Sequence, residues 1–367
     1  MTMTTQSNAL ADAIRTSVTT REELVTYLAA RGLADRAVGI AELADPAVLP
    51  LRVPRYYLDL IDWEDPNDPL RRQVLPLPEE TAILPDDLRD PIGDDSHSPV
   101  PGVVHRYPDR ALFLPTATCA VHCRFCFRRE FIGKPTRVLR GDQFAGALAY
   151  FREHAEIWEV ILSGGDPLGF PDRFLTNILS QLREIPHLRV LRIHSRVPAI
   201  LPQRLTPELA DCLRQFAPIY LIVHVNHPRE VTPEFRQHVG YLVDRGIPVL
   251  SQSVLLRGVN DRVDTLADLF RNLVESRVKP YYLHQLDRAP GTNHFRVPIR
   301  EGLRLMRGLR GHVSGLCQPT YILDIPGGHG KVPLTSEYIH PRGDQQYDVV
   351  NHRGERYVYE EPGQRNC

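Results

Sequence analysis

Apolar positions along the 367-residue chain follow two regimes. Over roughly the first hundred residues they are scattered among prolines and acids. "TTREELVTYLAARG" predicts a helix, with Thr20 three residues before Glu23 as a capping box and Gly32 as the stop. "VPRYYLDLIDWEDPNDPLRRQVLP" and "DPIGDDSHSPVPGVVHRYPDR" are rich in turn formers and predict a segment that wraps a core. From about residue 110, short β-branched apolar runs alternate with amphipathic stretches such as "RFLTNILSQLREI" and "PELADCLRQF". The runs are "RALFLPTA", "WEVILSGGDP", "LRVLRIHS", "PIYLIVHVN", "IPVLSQSVLL" and "VKPYYLHQLD". Near-continuous apolar strands alternating with helices predict a parallel sheet covered by helices, a barrel or part of one. The runs end in polar residues such as Asp166, His194, Asn226 and Asp287. In β/α barrels the C-terminal strand ends carry the chemistry. "QPTYILDIPGGHGKVPL" adds a seventh strand-like run and a Gly-rich turn before a polar tail. The expected divisions are a wrapping segment over 1–104, a partial (β/α)6 barrel over 105–315 and an extension over 316–367.

Charge and targeting signals narrow the partners. A net charge of −1 gives no field that would draw nucleic acid or an anionic membrane. No apolar run reaches the ~20 residues that span a bilayer. "MTMTTQSNALADAIR" has no basic stretch followed by an apolar one, so a cytoplasmic location with reduced thiols is expected. Three of the six cysteines, Cys119, Cys123 and Cys126, stand as C-x3-C-x2-C in "TATCAVHCRFCFRRE", a loop directly after the first strand. Three thiolates at this spacing suit a [4Fe–4S] cube with one iron open to a small ligand. They also suit a structural zinc site if a fourth ligand closes it, and His122 stands inside the loop. Cys212 and Cys317 read as packed thiols and Cys367 as a tail residue.

C-x3-C-x2-C after the first strand of a β/α barrel is similar to the signature of radical S-adenosylmethionine (SAM) enzymes, and "LSGGDPL" resembles their glycine-rich motif. "HRYPDRALFL", "CRFCFRR", "PAILPQRLTPEL", "HVNHPRE", "SVLLRGVND", "KPYYLHQLD", "HFRVP", "GLRGHVSGLCQPT" and "DIPGGHGKVP" follow in an order that resembles the lysine 2,3-aminomutase family over residues 50–340. The resemblance implies a TIM-like partial radical SAM barrel and an isomerase with three cofactors. These are a [4Fe–4S] cluster on the three cysteines, SAM, and pyridoxal phosphate (PLP). It implies that Lys331 holds PLP and that Arg110 meets its oxygen atoms. Gly164, Gly165, Asp166, Ser195, Arg196, Asn226 and Gln252 are the implied SAM contacts, though Asp166 equally suits a helix cap. Arg128 matches the arginine that grips the substrate carboxylate, a task suited to a guanidinium, and Arg129 is a neighbouring competitor.

Asp287 and Asp324 match two acids that receive a distal ammonium; two carboxylates aimed into one barrel repel unless a cation lies between them. Together these residues imply an α-amino acid with a cationic end, lysine converted to β-lysine, with arginine the close alternative. β-Lysine for elongation factor P is a second possible destination. The resemblance also implies an electron donor such as flavodoxin or ferredoxin, and a homo-oligomer. His329 replaces a glycine of the best-known members. Arg262 follows "GVND" where the long clostridial enzymes carry a cysteine, so their zinc between subunits is not expected here. A zinc-stabilised barrel with a binding role is the alternative from a different class.

Overall fold

The computed structural model describes residues 14–36, 49–133, 138–343 and 346–360; Cys367 lies outside them. A nine-stranded sheet runs in chain order from β1 (Val103–Tyr107) and β2 (Arg110–Thr116) through β3 (Glu159–Gly164), β4 (Val190–Ser195), β5 (Ile219–His224), β6 (Val249–Leu255), β7 (Lys279–Gln285) and β8 (Thr320–Asp324) to β9 (Lys331–Pro333). Neighbours from β2 to β8 pair parallel. The edge strands β1 and β9 pair antiparallel to β2 and β8. Parallel neighbours need a crossover, and helices supply it. After the N-terminal helix α1 (Arg21–Ala29), these are α2 (Gly141–Glu153), α3 (Asp172–Arg183), α4 (Pro207–Arg214), α5 (Pro233–Asp244), α6 (Val263–Glu275) and α7 (Ile299–Leu309).

The helices dock by one apolar stripe each. In α3 the buried residues are Leu175, Ile178, Leu179 and Leu182, the i, i+3, i+4, i+7 spacing of a single face. Each side chain so buried contributes about 1.5–3 kcal/mol. The strands alternate. In β6, Val249, Ser251 and Leu255 are buried, while Leu250, Gln252 and Val254 line the cavity inside the curl. The same parity turns Arg192 and His194 of β4, Tyr220, Ile222 and His224 of β5, and Tyr282 and His284 of β7 to that cavity. The sheet is thus apolar toward its helices and largely polar inside.

The described part of the N-terminal segment reaches the barrel through Tyr57, whose hydroxyl donates to Glu230 at 2.7 Å. Thr20 and Glu23 form the capping box of α1, and Gly32 follows with φ +72°. Two of the expected divisions do not coincide with breaks in the sheet. The 104/105 boundary cuts β1, and the sheet continues past 315 through β8 and β9, because a seventh parallel strand covers the open edge of β7. The polar tail forms a separate antiparallel sheet of β10 (Ile339–Gly343), β11 (Gln346–Val350) and β12 (Arg356–Glu360).

The curled sheet is left unclosed between β1 and β9, which do not pair. Residues 90–97 and the Gly-rich loop after β8 meet across this seam. Gly93, at φ +67°, approaches so closely that a Cβ there would stand 2.6 Å from the carbonyl carbon of Gly327. The Lys331 N–H donates to the Tyr107 hydroxyl at 2.8 Å, tying β9 to the end of β1.

Candidate active site

The cysteine loop leaves β2 at Thr116 and is held from below by the wrapping segment. His122 N–H donates to the Arg52 carbonyl at 2.9 Å, and Arg124 N–H to that of Gln73 at 2.8 Å. The guanidinium of Arg124 donates to both oxygens of Glu80, at 2.8 and 2.6 Å. Arg129 donates to the same carboxylate at 2.6 Å and to the Gly291 carbonyl at 2.9 Å. All three side chains are fully buried. Arg129, a competitor for the substrate on sequence grounds, is therefore committed to the scaffold.

Cys119, Cys123 and Cys126 are free thiols. Burial pushes all three up, Cys123 to about 12, so a protonated trio is the resting state without a cation. A bound metal reverses this by its own charge. Four-coordinate zinc needs sulfurs ~3.8 Å apart. Among the described residues, the group whose ligand atoms all lie within 4.8 Å of one another is His105, His154 and Glu156, away from the cysteines. The three cysteines do not form such a group, and three thiolates with an open fourth position suit an iron–sulfur cube. His122 forms no such close group with the cysteines among the described residues. Its Nδ1 is bonded to the Pro50 carbonyl at 2.7 Å, and its ring lies beside Gly133.

"SGGD" packs directly on this loop. A Cβ at Gly165 would stand 2.2 Å from the Thr118 carbonyl oxygen, and one at Gly164 2.5 Å from that of Thr116. The glycines thus let two backbones touch, with Gly165 N–H donating to Thr116 at 2.6 Å and Asp166 N–H to Thr118 at 2.9 Å. Asp166 is a cap. Its Oδ1 accepts from Ser195 Oγ at 2.7 Å and Leu168 N–H at 3.0 Å, and its Oδ2 from the N–H groups of Arg196 and Val197 at 2.7 and 3.1 Å. Burial raises its carboxyl despite these four bonds.

Asn226 is equally engaged, donating to Gln73 at 3.0 Å and accepting from Val254 N–H at 2.9 Å. Arg196 differs. Its Nη2 pairs with Glu230 at 2.7 Å and Gln73 at 2.8 Å, but Nε and Nη1 are buried with no partner. These two orphaned donors, next to a loop of three cysteines, suit the carboxylate of an amino-acid ligand such as SAM. Of the implied SAM contacts, Gln252 lines the central cavity; Ser195, Asp166 and Asn226 are bound to one another's neighbourhoods instead.

The cavity, of about 570 Å³, brings Arg110, Arg128, Asp287, Asp324 and Lys331 together. Arg110 lies over the Tyr107 ring at 3.8 Å and pairs with Asp109 at 2.7 Å. Arg128 donates from Nε to Asp94 at 2.8 Å, and Arg106 meets the other oxygen of Asp94 at 3.1 Å. Two guanidiniums share one carboxylate, which leaves a surplus positive charge at the cavity wall. Lys331 Nζ pairs with Asp324 Oδ1. The other oxygen, Oδ2, meets His284 Nδ1 at 3.2 Å. Burial works to raise Asp324, but the His284 hydrogen bond and the Lys331 charge outweigh it and hold the carboxyl well below the usual range. Burial lowers His284, so it is neutral and donates from Nδ1. Asp287 has no hydrogen-bond or ion-pair partner for its carboxylate among the described residues. Burial, then the charge of Asp324, pushes it up to about 7. Sequence reading missed Asp94, Arg106 and His284. Only for His284 was a signal present, since it shares inward parity with Tyr282 on a strand already expected.

A curled parallel sheet whose second strand runs into a loop of three cysteines defines the radical SAM class. The family model described as "Radical SAM superfamily" matches residues 113–270, and that described as "Lysine-2,3-aminomutase" matches residues 306–366. The chain is 42% identical over 349 residues to "L-lysine 2,3-aminomutase" of Clostridium subterminale, covering 95% of this chain and 83% of the relative. It is 45% identical over 287 residues to "L-lysine 2,3-aminomutase" of Escherichia coli (strain K12), covering 77% and 83%. "Glutamate 2,3-aminomutase" of Clostridioides difficile (strain 630) is 39% identical over 288 residues, covering 78% and 68%. The chain belongs to the lysine 2,3-aminomutase family.

Removing the shared counter-ion of the cysteine loop should be costly. Glu80→Gln leaves two buried guanidiniums facing a neutral amide, and breaking such pairs costs about 3–5 kcal/mol. The expected outcome is a lower denaturant midpoint together with reduced iron uptake. An unchanged midpoint would show that water replaces the carboxylate.

Proposed function

We propose that this protein is a radical SAM, PLP-dependent 2,3-aminomutase that moves the α-amino group of L-lysine to Cβ, giving β-lysine. The observation that carries the reading is one cavity holding a guanidinium with surplus positive charge, a lysine amine and two carboxylates. A carboxylate, a migrating nitrogen and a distal ammonium each find a chemical match there. A side-chain carboxylate such as that of glutamate would instead meet Asp287 and Asp324, two charges of its own sign. Arginine carries the same charge as lysine and is the second substrate to assay.

When bound, the cluster and SAM supply a carbon radical and PLP supplies a π-system for the migrating nitrogen. The chain's residues do the rest. Cys119, Cys123 and Cys126 would hold the cluster, and the unpaired Nε and Nη1 of Arg196 would meet the carboxylate of SAM. Lys331 holds PLP, with Arg110 and Tyr107 beside it. Arg128 keeps its two Nη groups for the substrate carboxylate while Asp94 fixes its Nε edge. Asp287 and Asp324 receive the distal ammonium. Apolar walls at Ile92, Val104, Leu112, Ile161 and Ile222 keep water from the radical. A small electron-transfer protein such as flavodoxin or ferredoxin delivers the electron.

The decisive experiment is anaerobic reconstitution with iron and sulfide, then incubation with SAM, PLP, dithionite and lysine, arginine or glutamate. β-Lysine is the expected product. Protein carrying about four irons per chain and a full complement of PLP that isomerises no amino acid would overturn the proposal. Faster turnover of arginine would reassign the substrate. Cys123→Ser should lower both iron content and cleavage of SAM to 5′-deoxyadenosine; full cleavage in that variant removes Cys123 from the cluster.

The acids also set a pH dependence. Asp287 is charged only above about pH 7 in the ligand-free chain, and a cation binds its charged form. KM for lysine should therefore rise as pH falls below this value, by up to about tenfold per pH unit. Asp287→Asn should abolish that limb. A KM that is flat from pH 8 to pH 6 in the unsubstituted protein places no titrating carboxyl in the ammonium site.

A further inference from the structure

Asp324 has two oxygens, and both are taken. His284 Nδ1 donates to Oδ2 at 3.2 Å, and Lys331 Nζ pairs with Oδ1. The carboxylate is buried, so neither oxygen has water to fall back on. Asp287, facing the same cavity, carries no such partner among the described residues. A cation entering the ligand-free chain thus finds one open carboxylate rather than two. The cation that blocks the second is Lys331 itself, the residue read above as the PLP lysine.

We propose that Asp324 serves two cations in turn: Lys331 occupies it while the cofactor is absent, and attachment of the cofactor to Lys331 vacates it for the distal ammonium of the substrate. This inference rests on the functional reading above and adds an order to it. When Lys331 condenses with the cofactor's aldehyde, its nitrogen bonds to the aldehyde carbon, the aldehyde oxygen leaves as water with two of the ammonium's hydrogens, and the third stays on the nitrogen or passes to solvent as a proton. The nitrogen then carries at most one hydrogen instead of three, and the bond to the cofactor fixes its position. Oδ1 of Asp324 is left buried without a donor, which is costly until another donor arrives. A primary ammonium placed between Asp324 and Asp287 satisfies both. His284 acts as a positioning residue. It holds Oδ2 in both states, so the carboxylate does not turn away when Lys331 leaves. Selectivity for a cationic side chain is therefore made largely by cofactor loading and is weak in the unloaded chain.

The test is equilibrium binding without turnover, using cluster-loaded protein with neither SAM nor reductant. The probes are 6-aminohexanoate and hexanoate, which share a carboxylate and chain length, differ in the distal ammonium, and have no α-amine to exchange onto the cofactor. Calorimetry on PLP-loaded protein should give a preference for 6-aminohexanoate of about a hundredfold, and on PLP-free protein about threefold or less. Lys331→Ala without PLP should bind 6-aminohexanoate at least about tenfold more tightly than the unsubstituted PLP-free chain, because Asp324 is vacated by the substitution. Adding Asp324→Asn to that variant should erase the gain. Equal preference with and without PLP, or no gain on Lys331→Ala, overturns the inference. Borohydride fixation of PLP separates the two levels. If PLP is fixed to Lys331 and the preference does not change, the functional reading stands and only this inference fails. If PLP is fixed elsewhere, the functional reading fails first and the inference with it.

Discussion

A guanidinium shut away from water must be met by a carboxylate, and under the cysteine loop that carboxylate comes from outside the barrel. Glu80, from the wrapping segment, answers both Arg124 and Arg129 under the cysteine loop. Tyr57 and Gln73, from the same segment, join Glu230 around Arg196. Buried ion pairs add little net stability over apolar replacements, yet they are costly to break singly. Their effect here is placement. The loop that bears three thiols is short and rich in cations, and it is fixed relative to the strand ends because those cations have one set of partners.

The same matching organises the cavity. Asp94 sits between Arg106 and Arg128, and Asp324 between His284 and Lys331. Asp287 has no hydrogen-bond or ion-pair partner for its carboxylate among the described residues, and burial, then the charge of Asp324, pushes it up to about 7. The site thus has one charge surplus of each sign, positive at Arg128 and negative at Asp287. A zwitterion with a further cation is the complement of such a surface.

Much of this was legible in the chain. The capping box at Thr20 and Glu23, the six strand runs and the wrapping role of the Pro- and Asp-rich segments follow from local rules and reappear in the structure. The seventh run was seen, but its membership of the sheet was not, because parallel pairing is a long-range fact that no local pattern encodes. The strand interiors were misleading in a specific way. Near-continuous apolar runs predicted a parallel sheet covered by helices but gave no sign that every second residue of β4 and β6 faces a largely polar cavity. Gly164 and Gly165 were read toward a ligand, yet the nearest atoms to their missing Cβ groups are backbone oxygens of the cysteine loop. The partners of Asp166, Asn226 and Arg128 lie up to 153 residues away in sequence, as with Gln73 and Asn226, so which acids and amides would meet them could not be read from spacing.

The unclosed seam has a consequence for how such a protein can change. Lys331 stands on β9, a three-residue strand that pairs only with β8 and closes no ring. The cysteine loop, by contrast, issues from β2, which is paired on both sides. The loop proposed to carry the radical source therefore issues from a strand paired on both sides, while the amine proposed to hold the nitrogen carrier stands on a short edge strand. Alterations to that edge disturb one strand pair and a few contacts with residues 90–97. The two halves of the chemistry can thus be gained, lost or exchanged separately, and a designer who wished to graft a different carrier onto the same radical source would begin at the seam.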